Sequence, residues 1–399
     1  MKQLRIAATL VLCLLAAPLR GQEARYLNEG RQVVHELAGV IAADDAPVRV
    51  ETDIGSVRIT AAAGREVSYR IRVRALAGDA SEARRLIDTL GVSAIRDGDR
   101  IIFSGKAYAP EHLARLTADF ELTLPSATPS LEVLTGVGDV GVDGVEGEVT
   151  IITHGGRVSV GKVGGPLQVE TRGGDIEVGQ IRGDARLATG GGQVQLDSAT
   201  GNLVARTSGG DVLIGHVGGK VDAETGGGSV RIERASGNVT AGTNGGNIDL
   251  GRILGEVSAA TAGGSIRVLS ARRGVSCETA AGLIDLGEVL GPVRAITSAG
   301  NIHVRLSGHE AFADSNLQSL LGDVFVSLPV SLPVTIRALV DDPVGAGIES
   351  EFPLAITREL QELGRPIAIA EGEVGGGGSL LKIHTLGGNI VIRRAEKTR

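Results

Sequence analysis

Three sets of residues in this 399-residue chain have types and spacings suited to chemistry. Gly136, Gly138 and Gly141 in "TGVGDVG" form G-x-G-x-x-G, the spacing that cradles a dinucleotide pyrophosphate when a strand precedes it and a helix follows. Asp175 and Glu177 stand two residues apart, as do Asp222 and Glu224. On a strand each pair would share a face, as the carboxylates of a polysaccharide-cleaving or calcium-binding β-helix must. Cys277 is a potential nucleophile, and His35, His112, His154, His216, His303, His309 and His384 are potential bases or ligands.

The surroundings of each set argue against that chemistry. No amphipathic helix follows the glycine loop. Instead the motif recurs: "THGGRVSV" at Thr153, "TRGGDIEV" at Thr171, "TGGGQVQL" at Thr189, and so on to "TSAGNIHV" at Thr297, ten threonines at an unbroken 18-residue spacing from Thr135. The loop is the first member of a repeat array, not a nucleotide site. If successive repeats lie side by side, Arg157 stands beside Asp175 and Arg206 beside Glu224, so the carboxylate pairs read as solvated ion-pair patches. Cys277 falls among alanines in an inward column and reads as a packed thiol. The histidines share no repeat column, so they make neither a metal cluster nor a triad. From Thr135 to Ala311 there is no Phe, Tyr or Trp to serve as a sugar platform. Calcium-binding nonapeptides also give 18 residues per coil, but here x-V-x-V follows the glycine pair where the calcium turn would place Gly and Asp. No catalytic, cofactor-binding or metal residues are assigned.

The elements follow from the repeat. With each Thr at position 0, position 3 is always Gly, position 5 always Val or Ile, and position 7 always Val, Ile or Leu. Position 10 is apolar in nine of ten repeats. Position 14 runs from Val149 to Ala311; position 16 narrows from Ile151, Val169 and Leu187 to alanines and Cys277, ending at Ala313. Positions 5 and 7, then 14, 16 and the next Thr, alternate with polar residues: two period-two strands per repeat. Glycines at positions 2, 3 and 12 mark turns that need either positive φ, invoked for Gly246, or close backbone approach. Two strands and two turns leave no room for a helix, so each strand must pair with its equivalent in the next repeat. The expected fold is all-β, a parallel β-solenoid (β-helix) with 18-residue coils, two strands per coil. The Thr column should pack its methyls inward and turn its hydroxyls to backbone groups. Acidic residues never share a column in adjacent coils, and position 6 alternates Arg231, Asp249, Arg267, Asp285.

Residues 22–134 are expected to form a small N-terminal β-rich cap with one short helix over Ala80–Leu90, an Asp79/Glu82 capping box and a stop at Gly91. An imperfect motif copy runs from Thr52 to Ile59. Residues 135–314 form the regular array, and 315–399 irregular C-terminal coils and a cap. There, out-of-phase copies (Ser319–Pro329, Thr385–Ile392) surround an insertion, Asp341–Pro366, read as a loop, and a turn at Gly375–Gly378. Lys2 and Arg5 before the apolar run Ile6–Ala17 mark residues 1–21 as a signal peptide, too short for a membrane span. A lipoprotein leader is disfavoured, because Leu12 precedes Cys13 where a small residue is needed. The net charge of −7, about −10 without the leader, excludes a nucleic-acid footprint.

The helix segment "DASEARRLIDTL", the stretch "FELTLPSATPSLEVLTGVGDV", the repeats and the closing "GEVGGGGSLLKIHTLGGNI" resemble the bacterial putative-adhesin family of repeat β-strand proteins over most of residues 47–395. The resemblance implies a secreted or envelope β-solenoid and brings no catalytic residues. The expected function is an exported, noncatalytic envelope scaffold or adhesin, in the periplasm, on the outer surface or extracellular, without cofactor. Its expected partner is an envelope or surface protein or a glycan, with no nucleic acid and no stable membrane span. The alternatives are a polysaccharide-active β-helix lyase or hydrolase, and an envelope sensory or protein-binding module.

Overall fold

The computed structural model describes residues 22–29, 32–308, 313–343, 345–360 and 366–395. The expected leader, Cys13, His309 and Ala311 lie outside them. Two long sheets, each of 18 strands, carry the described chain. Every repeat gives one strand to each. In the first sheet Val140 pairs with Val158, which pairs with Ile176, all parallel. In the second, Thr153 pairs with Thr171, which pairs with Thr189. Equal repeat positions therefore stack directly, and side chains of one column touch.

The inward columns are those that the alternation marks. Ile248 and Leu250 of one coil are 0% and 2% exposed, while Asp249 between them faces out. Position 10 is inward as well: Ile253, three residues after Leu250, is buried. The ladder skips position 8, with Leu250 opposite Val268 and then Arg252 opposite Ser270, so the strand bends and its phase shifts by one. Gly251 sits at that bend, where a Cβ would lie 2.1 Å from the Glu233 carbonyl oxygen. In the second sheet Cys277 stacks between Ala259 and Ala295.

The position-3 glycines correct one expectation. Positive φ occurs only early in the column, at Gly138 (φ 149°) and Gly156 (φ 126°), and not at Gly246. Close approach is the common cause: a Cβ on Gly246 would sit 2.1 Å from the Gly228 carbonyl oxygen, and one on Gly192 2.2 Å from that of Gly174. The backbone of each coil stacks on that of the previous coil with no space for a side chain.

The ends break the repeat in different ways. At the N-terminal end Thr52 pairs with Thr135 and Val57 with Val140, so the imperfect copy is a true preceding coil. Beyond it the first sheet turns antiparallel through Leu116–Pro125, Glu66–Ala75, Gln32–Ala42 and Glu23–Glu29. The helix spans Ala80–Ile87, shorter than expected, and a strand begins at Leu90. Asp79 caps it by accepting from the Glu82 amide (2.8 Å), and Glu82 accepts in return from the Gly78 amide (2.8 Å). Gly91 is no stop signal: it pairs with Lys106 within a strand, and a Cβ there would meet the Tyr108 hydroxyl at 2.4 Å. At the C-terminal end Ala295 faces Leu317 rather than Ala313, because the tenth repeat is longer than the others. The segment read as a loop contains strands Ile348–Ser350 and Ala355–Leu360. Gly375, Gly376 and Gly377, all at positive φ, do form a turn between strands. The out-of-phase copies rejoin the array's columns: Val324 pairs with Ile302 on one side and Ile390 on the other.

Candidate interaction surfaces

The threonine hydroxyls of the later coils bond to the backbone, whereas that of Thr135, in the first coil, is buried with no hydrogen-bond partner among the described residues. Thr225 Oγ1 donates to the Gly210 carbonyl of the previous coil (2.7 Å) and accepts from the Gly228 amide of its own (3.2 Å). The same pair of hydrogen bonds recurs at Thr189, Thr243, Thr261 and Thr279. Ser319 and Thr385 continue it in the irregular coils. Thr and position-3 Gly are thus one device: the glycine permits close stacking, and the hydroxyl ties the turns that result. These hydroxyls are 7% exposed at most as residues and present no nucleophile to solvent.

A second polar ladder, at position 4, was missed by the sequence reading. The Asp211 carboxylate accepts from the Ser229 amide (2.7 Å), and Asn247 Oδ1 from the Ser265 amide (2.9 Å). Asp323 accepts likewise from the Asn389 amide (2.7 Å). Its signal was present in the short side chains Asp139, Asp175, Asp211, Ser229, Asn247, Ser265 and Asn301, which occupy the position directly after the glycine.

The "TGVGDVG" loop joins two strands and lies on the preceding coil, where a Cβ on Gly138 would be 2.0 Å from the Gly55 carbonyl oxygen. Arg157 lies 3.7 Å from Asp175 and 3.8 Å from Glu177; Arg206 lies 3.0 Å from Asp222 and 3.5 Å from Glu224. Arg231–Asp249 (3.6 Å) and Arg267–Asp285 (3.3 Å) realise the position-6 alternation. Basic residues are not excluded from stacking, since Arg234 lies beside Arg252 in another column. Burial raises the Cys277 thiol to about 12, so it stays protonated and unreactive at neutral pH.

The described histidines are dispersed. His35 packs beside the Tyr26 ring (centroids 5.0 Å apart) in the cap, where burial lowers its pKa. His112 lies on the 3-10 helix Pro110–Arg115, His154 and His216 lie on the array, and His303 stands against the Phe325 ring. His384 Nε2 lies 2.8 Å from Asp341 Oδ2 and ties the C-terminal excursion to the array. Among the described residues no group of three His, Cys, Asp or Glu is placed to hold a metal ion. Among the described residues no helix is long and apolar enough to cross a membrane.

What remains is surface. The outer face of the second sheet carries two shallow grooves. One, of about 640 Å³, runs over Thr240, Ser258 and Ser276 to Lys382; the other, about 880 Å³, runs over Gly242 and Ala260 between Arg206 and Glu278. Both arise because small outward residues lie between longer charged ones. The first sheet has a groove of about 480 Å³ near its C-terminal end, around His303 and Phe325. The cap holds the densest charge cluster. Glu36, with its side chain 7% exposed, meets Arg25 at 2.7 Å, Arg72 at 3.5 Å and Arg70 at 3.8 Å. The hydrogen bond from Arg25 leads the effects that hold its carboxyl below the usual range.

No family model matches the chain, and no curated protein matches it. Among solved structures the chain is similar to a putative cell adhesion protein from Clostridium sporogenes, at 7% identity and TM-score 0.21, over 90% of this chain and 99% of that one. It is similar to a putative adhesin from Bacteroides fragilis at 11% identity and TM-score 0.31, over 63% of this chain and 97% of that one. It is also similar to a putative lipid binding protein from Parabacteroides distasonis at 13% identity and TM-score 0.24, over 77% and 94%.

Proposed function

We propose that the protein is an exported, noncatalytic β-solenoid whose 18-residue repeat is one coil, acting as a cell-envelope scaffold or adhesive surface. The observation that carries this reading is the pair of long parallel sheets, whose outer faces offer an extended, regular contact surface. Coils about 4.8 Å apart give ten repeats a length of roughly 50 Å. In this reading residues 1–21 are removed on export, 22–134 cap one end, 135–314 are the presenting array and 315–399 seal the other end. Its partner is an envelope protein or surface glycan.

Fractionation of the source cells, with protease added to intact cells, tests the placement. Recovery in a non-cytoplasmic fraction is expected, and full retention in the cytoplasm overturns the reading. Incubation with acidic and neutral polysaccharides tests the noncatalytic part. No release of reducing or unsaturated ends is expected. Steady turnover abolished by one carboxylate substitution would instead establish the β-helix enzyme.

A further inference from the structure

The first-sheet groove near the C-terminal end differs in chemistry from the rest of the array. Two outward columns line it. In one, Asp285, His303, Phe325 and Val391 stand on successive strands; in the other, Arg305, Ser327 and Arg393 do. Phe325 is half-buried, and the His303 ring meets it edge-on, with centroids 4.8 Å apart and planes at 87°. Ring contacts of this kind fix an aromatic side chain in place. No guanidinium lies over the Phe325 ring among the described residues.

The cations beside the ring make no ion pair among the described residues. On the array Arg157, Arg206, Arg231, Arg267 and Arg294 each lie within 4.0 Å of a carboxylate, whereas Arg172, Arg186, Arg234 and Arg252 also do not, so what sets this groove apart is two such cations beside an aromatic ring. Arg305 and Arg393 are exposed and make no ion pair among the described residues. Of the bordering carboxylates, Asp285 pairs with Arg267 and Glu351 accepts from the Arg394 amide, while Glu349 stands beside Val391 with no ion pair among the described residues. Arg305 and Arg393 flank Ser327, one strand to either side, so their backbones are about 10 Å apart. Side chains of that length can converge on one anion, with the serine hydroxyl between them. The ladder also slips by one residue here, so that Leu306 instead of Ser307 faces Val289. Such bulges re-aim neighbouring side chains, and they concentrate at binding sites.

We infer that this groove binds an acidic sugar, its ring stacked on Phe325 and its carboxylate or sulfate held between Arg305 and Arg393. A lone aromatic platform beside two unpaired cations suits one anionic pyranose ring. The nearby Asp285 and Glu349 disfavour a long polyphosphate backbone. The inference rests on the adhesive-surface reading and gives that surface a ligand class.

The test is calorimetric titration of the full chain with a galacturonate hexasaccharide and with its fully methyl-esterified form. Saturable binding of the acid form is expected, at least tenfold tighter than the ester and weakened by salt. Arg305→Gln, Arg393→Gln and Phe325→Ala should each weaken it at least tenfold, with Phe325→Tyr close to the parent and all melting curves superimposable. No saturable binding, equal binding of the ester, or unchanged affinity in the three variants would overturn the site. So would tighter binding of a single-stranded oligonucleotide or of anionic phospholipid vesicles. Reducing ends are counted in the same samples. Their release would remove the noncatalytic reading and leave the site standing, whereas absent binding removes the site and leaves the scaffold.

Discussion

The array and the N-terminal cap solve the same problem, stacking strands around an aliphatic core, with different chemistry. The array is parallel and tied by short side chains bonding to backbone: Thr to Gly, Asp or Asn to the next coil's amide. The cap is largely antiparallel, with parallel pairs only where its inner coil joins it, and is tied by long ion pairs around Glu36 and by rings such as Tyr69 against Phe103 (centroids 5.2 Å apart). In the array each interaction is copied by the next coil, so its geometry must be identical and compact. The cap makes each contact once and can use side chains that reach. Regularity demands small residues, and termination permits large ones.

Four experiments would break or sharpen this contrast. The largest effect is expected from Ile248→Asp, which places a charge where the side chain is 0% exposed. It should cost at least ~4 kcal/mol in chemical denaturation, whereas Asp249→Ser, one residue away on the outer face, should stay within about 0.5 kcal/mol. Similar losses in the two would refute the register. Gly246→Ala comes next: its Cβ would meet the Gly228 carbonyl oxygen at 2.1 Å, for an expected loss of about 3 kcal/mol. Gly191→Ala has nothing within 4 Å of its new Cβ and should be neutral or slightly stabilising. Two equal outcomes would mean that the coils are not in contact at position 3.

Thr225→Val keeps the shape of the side chain but leaves the Gly210 carbonyl and Gly228 amide without their partner. A loss of about 1–3 kcal/mol is expected, and a neutral result would make the hydroxyl column dispensable. The smallest effect concerns the cap alone. Glu36 has a lowered pKa, so its contribution is complete at neutral pH and lost as pH falls below the usual carboxylate range. The burial-lowered His35 acts with the same sign at somewhat higher pH. Tyr26, Tyr69 and Tyr108 are the chain's tyrosines and all lie in the cap, and the chain has no Trp. Tyrosine fluorescence should therefore change in mild acid before the far-ultraviolet circular dichroism of the array does. Coincident transitions would show that cap and array open as one unit.

Strand existence, inward columns and coil register were legible because the pattern is repeated: an apolar residue at one position is ambiguous, but ten in a column are not. The position-3 glycines were legible as a requirement yet not as a cause, since positive φ and close stacking demand the same residue. The position-4 ladder was obscured because Arg157, Gln193 and Leu283 interrupt it, and because its bonds run to backbone amides that no sequence pattern displays. The irregular ends were least legible. The helix apolar face of Ala83, Leu86, Ile87 and Leu90 was correctly placed inside, but Leu90 reaches the core from a strand. The Phe325 groove was hidden because its parts come from residues 285 to 393, brought together only when the out-of-phase copies rejoin the array.

That rejoining has a consequence for the order in which the molecule can be completed. Strand Ser379–Thr385 lies between Ser315–Ser319 and Val334–Val340, so a later segment separates two earlier ones. A chain emerging from its N-terminus can add coils one at a time as far as Leu328. It must then wait. Until Thr385 arrives to bond the Gly322 carbonyl, the growing rod ends in an unpaired parallel edge open to any other strand. The last step of assembly is the closing of a gap rather than the addition of a coil, and the interval before it is when chains are most prone to join one another end to end.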